Sequence, residues 1–501
     1  MTNSLRTFKI RINDDKLNNM LLSFIYKYRH FENILLILIK QNYDLFKSGK
    51  DANDFNILTN KQTLRNALMG YKSKKQDNTD YLVNKYKDNQ LFKDLTLLSK
   101  NIKQHNFTYI INRVKSQYKT FFTAIKSNAK ARLPKAKKLS KITNYSIDVD
   151  KDCSLSFKKL AKHNLIGINL SDKMFYVHCY YDSIKSLIDN DINNLNSAKL
   201  VYDNGLLYLN VSYYKEIPKF TSDGAIKESG LDIGVNNLVA IFVNDEETKS
   251  LIIDGKPYKK YNSDFNRLIS KLNISKSNEV LEWGLSKNGT KYPKKYSIKG
   301  IKINKFISFL YQKRNRYFDD NFHKISVRIL EYLKNSNVTD LYISKNLAEL
   351  KSNGKCKLRK STKQNFIQIP FFKLLNIFEY KAAEFSIMVH SIDEAYTSKT
   401  SCISDNVVDI QNNRLLSNAF NGKRDKRGLF KDTLMKKVFN ADLNGAVNHI
   451  KVGTSKSFEW LKNYLFKLCN PIKIKCDCEF IVVINSVSGK SNNLTFNYGG
   501  V

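Results

Sequence analysis

Three carboxylates stand where their chemistry and their neighbours make them worth reading together. Asp232 lies inside the otherwise apolar stretch LDIGV. A carboxylate facing a core there is costly unless a cation or hydrogen bonds compensate it. Asp442 sits in NADLNGAVNH beside Ala441, Gly445 and Ala446. Such small residues let a helix approach a sheet closely, which would carry this acid toward Asp232. Glu394 follows the apolar run Phe385–Ile392 at the expected end of a strand, with Asp393 as neighbour and competitor. Three carboxylates converging at one sheet edge suit hard cations, since Mg²⁺ takes oxygen ligands and keeps waters, leaving room for a phosphate. Two such ions about 3.5–4 Å apart activate a water and stabilise a leaving oxygen in an in-line displacement. Taken singly, each acid reads equally as a cap, a turn or a solvated face, Asp442 above all because it stands at a helix start.

The elements that must position these acids follow from hydrophobic spacing. LRTFKIRI near the amino terminus alternates as a strand does, and residues 18–125 then carry Phe, Tyr, Ile and Leu at three- and four-residue spacings without a proline. Phe107, Tyr109, Tyr118, Phe121 and Phe122 are spaced for core packing, with base stacking as the alternative. The basic connector NAKARLPKAKKLSK (128–141) leads to closely spaced strand-like pieces up to about 220, which suggests a small β-barrel. From 228, three strands joined by short turns precede a basic helical region, 260–335. The strand VTDLYIS (338–344) comes next, and Pro370 opens an amphipathic helix. The strand FSIMVHSID and a helix starting near NADLNGAVNHI complete the element order of an RNase H-like α/β fold.

Charge supplies the partner class. The 501 residues include 84 Lys+Arg against 46 Asp+Glu, a formal net charge of +38, which favours a polyanion such as nucleic acid over a merely soluble surface. Seven cysteines are scattered, no apolar leader segment stands at the amino terminus, and the longest early apolar run, ILLILI (34–39), is too short to span a bilayer. Reduced thiols in a cytoplasmic protein, nucleoid-associated in a prokaryote, are therefore expected. Cys476-x-Cys478 reads as two unrelated thiols because no partner pair has zinc-site spacing.

From about 225 to 453 the chain resembles TnpB, the RNA-guided nuclease of bacterial insertion sequences and relative of type V CRISPR effectors. The resemblance is carried by LDIGVNNLVAI (231–241), KQNFIQIPFFKLLNIFEYKAAE (363–384), EAYTSKTS (394–401), FNGKRDKRGLF (420–430) and FNADLNGAVNHI (439–450). A weaker match covers FFTAIKSNAKARLPKAKK (121–138). It implies a RuvC nuclease domain over 226–455, with a helical insert at 260–335 and a target-loading segment at 395–438. It further implies a wedge-like β-barrel (1–17 and 128–225) holding a helical recognition lobe (18–127), and a tail from 456 to 501.

By this resemblance Asp232 and Asp442 are the first and third acids of a site binding two Mg²⁺ ions, with Mn²⁺ able to substitute. Where most of the family carries its second acid, at the end of the fourth strand, this chain has Lys345 in SKNL. Some lineages place a glutamate at the start of the YTSK motif instead, which makes Glu394 the second acid. Many relatives carry two Cys-x-x-Cys pairs between the second and third acids. Here that interval holds only Cys402, so no zinc is expected there, and packing around Tyr396 and 420–430 must order the segment. Lys423, Arg424 and Arg427 are candidate phosphate contacts, and Arg132, Lys135 and Lys137 candidate backbone contacts for RNA or DNA. The implied activity is DNA cleavage next to a short motif, directed by a guide RNA from the element end, one monomer per guide. A nuclease-dead RNA-guided or plain DNA-binding repressor of the same fold, supported by Lys345, is the rival reading, and an accessory transposase a third.

Overall fold

The alternating amino-terminal stretch forms strand β1 (Thr2–Arg11), and the proline-free region after it winds into helices. The computed structural model describes residues 2–475 apart from 44–51, 73–75, 101, 128–130, 140, 141, 143, 172, 180–194, 204, 218–226, 287, 345–367, 413–419 and 427. Two units divide the chain, Asn3–Glu216 and the residues from Ile217 onward.

In the first unit the helices before the β2 region are α1 (Asp15–Gln41), α2 (Ala52–Leu58), α3 (Lys61–Met69), α4 (Gln76–Tyr86), α5 (Gln90–Ser99) and α6 (Gln104–Ser127), and one further turn of helix spans Leu160–His163. Asp14, Asn60 and Asn89 each accept a hydrogen bond from a first-turn amide and so start α1, α3 and α5. The ILLILI run is the buried stripe of α1, with only Ile37 reaching the surface. Phe107 and Tyr118 lie in the same core, Phe122 packs against it and Phe121 is buried, whereas Tyr109 is 40% exposed, so the aromatic series on α6 is mainly packing. Strands β2 (Asn144–Val149), β6 (Leu195–Asp203) and β7 (Leu206–Ile217) join β1 in a sheet of order β1-β7-β6-β2. A second sheet holds β3 (Leu155–Ser156), β4 (Leu165–Asn169) and β5 (Met174–His178). Among the described residues, these two sheets stand where a barrel was expected. The connector is pinned to α1 by Asn33, whose amide donates to the Lys137 carbonyl (2.7 Å) and accepts from its N–H (3.0 Å). The side chains of Arg132, Lys135 and Lys137 remain exposed.

The second unit is built on one sheet. Strands β8 (Lys227–Ile233), β9 (Asn237–Val243) and β10 (Leu251–Asp254) form an antiparallel meander, while β13 (Val338–Ser344) and β14 (Met388–Ile392) add in parallel beside β8. The order β14-β13-β8-β9-β10 is that of the expected RNase H-like sheet. Helices α7 (Lys256–Ser277), α8 (Ile298–Asn335) and α9 (Phe371–Ala382) supply Tyr258, Phe318, Phe322 and Phe378 to a core that takes Leu231, Ile233, Val239 and Ile241 from the sheet. The other face takes Ala240, Phe242 and Tyr342 against α10 (Ala441–Thr454). Because strand neighbours point to opposite faces, Gly230 and Asp232 belong to the α10 side.

Three sequence expectations change. The basic region 260–335 is not helical throughout, since an exposed hairpin, β11 (Val280–Leu285) and β12 (Lys291–Tyr296), separates α7 from α8. Its turn uses Asn288-Gly289, with Gly289 at φ +73°, the backbone such a turn demands. Pro370 is the residue before α9 rather than its first. The region after 455 is not all tail, because β18 (Ile472–Ile474) pairs in parallel with β10 at the sheet edge.

Candidate active site

Close approach of α10 to β8 brings the first and third acids together. A Cβ on Gly230 would fall 1.8 Å from the Ala446 carbonyl oxygen, and one on Gly445 would fall 2.9 Å from Asp232 Oδ2. Only glycine leaves the helix this near the strand, so the Asp232 carboxyl rests against the α10 backbone one turn above Asp442. Asn440 caps the helix, its side-chain oxygen accepting from the N–H of Asp442 (2.9 Å) and Leu443 (3.0 Å). Asp442 thus stands in the first helical turn, and Asn237, just after the β8–β9 turn, donates to its Oδ2 at 2.7 Å. Arg424 faces the other oxygen at 3.5 Å from strand β15 (Gly422–Arg424).

The electrostatics match this crowding. Burial comes first and the Asp442 charge second in holding the Asp232 pKa well above the ordinary carboxylate range. Arg424 pulls it down, and Glu394 pushes it up again. Asp232 therefore senses both other acids and a single arginine. Among the described residues, three carboxylates with one guanidinium between them form a cluster short of positive charge.

Glu394 arrives by a different route. In register, Leu231 faces Ile343 and Ser344 faces Ile392, so Asp232, Ser344 and the residues just past Ile392 stand side by side at the ends of three adjacent strands. The Ser344 hydroxyl donates to the Glu394 carboxylate. Asp393, the competitor, is exposed and caps the turn through the N–H of Ala395 (3.0 Å). Lys345 lies outside the described residues.

The turn carrying Glu394 is anchored by buried amides on α10. Asn444 accepts from the Cys402 N–H and donates to the Thr400 carbonyl, both at 2.8 Å. Asn448 donates to the carbonyls of Thr397 (2.8 Å) and Thr400 (3.0 Å). Asp405 accepts from the N–H of Ser401 at 2.6 Å and of Asn421 at 3.1 Å, while Ser401 donates to buried Asp432. Asp432 ends β16 (Leu429–Asp432), which pairs with β15 on one side and β17 (Lys437–Asn440) on the other. Tyr396 packs obliquely on Phe420 (centroids 6.3 Å apart), so the packing expected there is present but secondary to this network. Cys402 is fully buried, its thiol pKa pushed up to about 12 by that burial.

Of the basic candidates, Arg424 is exposed and faces Asp442, Lys423 is exposed on the opposite face of β15, and Arg427 lies outside the described residues. Arg132, Lys135 and Lys137 belong to the other unit. Sequence reasoning missed Asn237, Ser344, Asn444 and Asn448. The last two repeat Asn440 at intervals of four, which puts three amides on one helix face.

Both family matches fall within this unit. Residues 224–349 match the OrfB_IS605 family, described as "Probable transposase", and residues 371–449 match the Cas12f1-like TNB domain. No curated protein sequence matches the chain. Among solved structures, a Cas12f1–sgRNA–target DNA complex aligns at 13% identity and TM-score 0.44, over 89% of this chain and 98% of that one. A CRISPR-Cas12f ternary complex aligns at 14% and 0.31 over 89% and 86%. The mini-RNA-guided endonuclease CRISPR-Cas phi3 aligns at 14% and 0.35 over 57% of each chain. Among the described residues, no helix is long and apolar enough to cross a membrane.

Proposed function

We propose that this chain is a TnpB-like, RNA-guided DNA endonuclease of a transposable element, hydrolysing phosphodiesters at Asp232, Glu394 and Asp442, a reading supported by the family matches over 224–349 and 371–449. The observation that carries this reading is the electrostatic one. A desolvated Asp232, raised in pKa by Asp442 and Glu394, stands at the end of the central strand of an RNase H-like sheet. An all-oxygen donor set short of positive charge fits a hard divalent cation, Mg²⁺ or Mn²⁺. When bound, such ions supply Lewis-acid activation of water and charge stabilisation at the leaving oxygen.

The chain's own residues do the positioning. Gly445 leaves the room in which the Asp232 carboxyl sits, and Asn237 fixes one oxygen of Asp442. Ser344 orients Glu394. Arg424 is half exposed and faces Asp442, from where it can swing toward a phosphate. The guide RNA and double-stranded target DNA are the partners this reading requires, held in part by the exposed connector lysines and arginine, Lys135, Lys137 and Arg132.

The test is cleavage of matched double-stranded DNA by the protein purified with its flanking non-coding RNA in Mg²⁺. Cleavage that is lost in both Asp232→Asn and Glu394→Gln supports the assignment. Cutting by Glu394→Gln at the parental rate, with Asp232→Asn dead, removes Glu394 from the site. Guide-dependent binding without cleavage, unchanged by Asp232→Asn, establishes the repressor instead.

A further inference from the structure

The start of α6 and the turn after β2 bring together three side chains that the acidic site does not use. His105 stands in the first turn of α6, Asp150 directly follows β2, and Cys153 lies three residues on, in the turn leading to β3. One ligand atom of each, a ring nitrogen, a carboxylate oxygen and the thiol sulfur, lies within 4.8 Å of the other two. His105 Nδ1 is 3.4 Å from Asp150 Oδ2. Donors on a tetrahedral ion with bonds of about 2.0–2.3 Å are themselves about 3.3–3.8 Å apart, so small side-chain rotations would close this set on one point.

The carboxylate is already oriented for that role. Asp150 Oδ1 accepts from the N–H of Asp152 (3.0 Å) and of Cys153 (2.9 Å), which leaves Oδ2 toward the histidine. Asp148, two residues earlier, is engaged by Lys199 (3.3 Å) and Arg113 (3.6 Å), so the neighbouring cations are directed to Asp148. The His105 side chain is 48% exposed and that of Asp150 17%, which gives an ion and its remaining water ligands access.

We propose that His105, Asp150 and Cys153 form a binding site for a borderline-soft divalent cation of the Zn²⁺ type, with water completing its coordination. Thiolate and imidazole select such an ion, whereas Mg²⁺ prefers the all-oxygen set. The ion would tie the start of α6 to the end of β2, two elements that Arg113 already joins by donating to the Ser146 carbonyl at 2.7 Å. The site is separate from the cysteine pairs of the zinc-carrying relatives, for which this chain keeps only Cys402.

The experiment titrates the full chain with Co²⁺ in excess Mg²⁺ and follows near-ultraviolet absorption, where thiolate-to-cobalt charge transfer appears. One equivalent should produce the band. Cys153→Ser should remove it, and His105→Ala should weaken Co²⁺ binding by more than the roughly 10–100-fold that loss of an outer-shell partner costs. Zn²⁺ should displace the Co²⁺ and raise the unfolding midpoint of the parent but not of Cys153→Ser. The band should persist in Asp232→Asn. The proposal fails if no band forms, or if the band survives Cys153→Ser and disappears on replacing Cys476 and Cys478.

Discussion

The two halves of the acidic site are held by different physics. Asp232 and Asp442 sit on a central strand and a helix whose approach is set by packing, with Gly230 and Gly445 supplying the clearance. Glu394 sits on a turn, and that turn is held by hydrogen bonds from Asn444 and Asn448 and by the contacts of Asp405 and Asp432 with Ser401. Packing tolerates no added atom, while a hydrogen-bonded turn tolerates no lost partner. Buried amides and carboxylates order this turn.

That contrast can be broken most severely from the packed side. Gly230→Ala places a Cβ against the Ala446 carbonyl, and overpacking of this kind costs about 1–3 kcal/mol or more. Denaturant unfolding of the second unit should show that loss, and cleavage should fall to background because Asp232 and Asp442 separate together. Next in size is the hydrogen-bonded side. Asn448→Ala leaves the carbonyls of Thr397 and Thr400 without their buried donor, at a cost of about 1–3 kcal/mol. Its diagnostic is a cleavage defect with Asp232 and Asp442 still in place. Wild-type cleavage by a destabilised Asn448→Ala protein would show that the turn need not be fixed for chemistry.

A pH scan separates the halves further. His449 on α10 is fully buried against the Leu231 carbonyl (2.9 Å), and burial lowers its pKa from 6.5 to about 4. A histidine depressed in the folded state contributes stability that is complete above 6.5 and is lost as pH falls toward 4. The loss should be on the order of 3 kcal/mol, confined to the second unit. His449→Asn keeps a donor for the Leu231 carbonyl and should flatten that slope between pH 6.5 and 4, as read by thermal melts. The smallest effect belongs to Arg424→Gln. Its exposed pair with Asp442 adds little to stability, but losing one phosphate contact should lower the salt slope of DNA binding by about 1.

How much the sequence revealed follows the same division. Asp232 was legible because an acid in an apolar strand needs a reason, and Asp442 because small residues around it announced close packing. The strand order was legible because β8, β9, β10, β13 and β14 are long enough to show their apolar pattern. The support of Glu394 was not, because a period-four run of asparagines looks like any polar helix face until the turn it meets is known. The hairpin β11–β12 escaped notice because the lysine-rich β12 matches the charge of the flanking helices, leaving Asn288-Gly289 as its one local sign. Strand β18 has three residues, too few for any periodicity.

That short strand matters to anyone trimming the chain. A protein cut after residue 455 would keep Asp232, Glu394 and Asp442 but lose β18, the partner of β10 on its outer side among the described residues, together with Lys467, whose buried ammonium donates to the Val243 carbonyl at 3.1 Å. The freed edge, Leu251 to Asp254, would present unpaired amides and carbonyls flanked by Ile252 and Ile253, an invitation to strand addition between molecules. Such a fragment would fail by sticking to itself, and its silence in a cleavage assay would say nothing about its carboxylates.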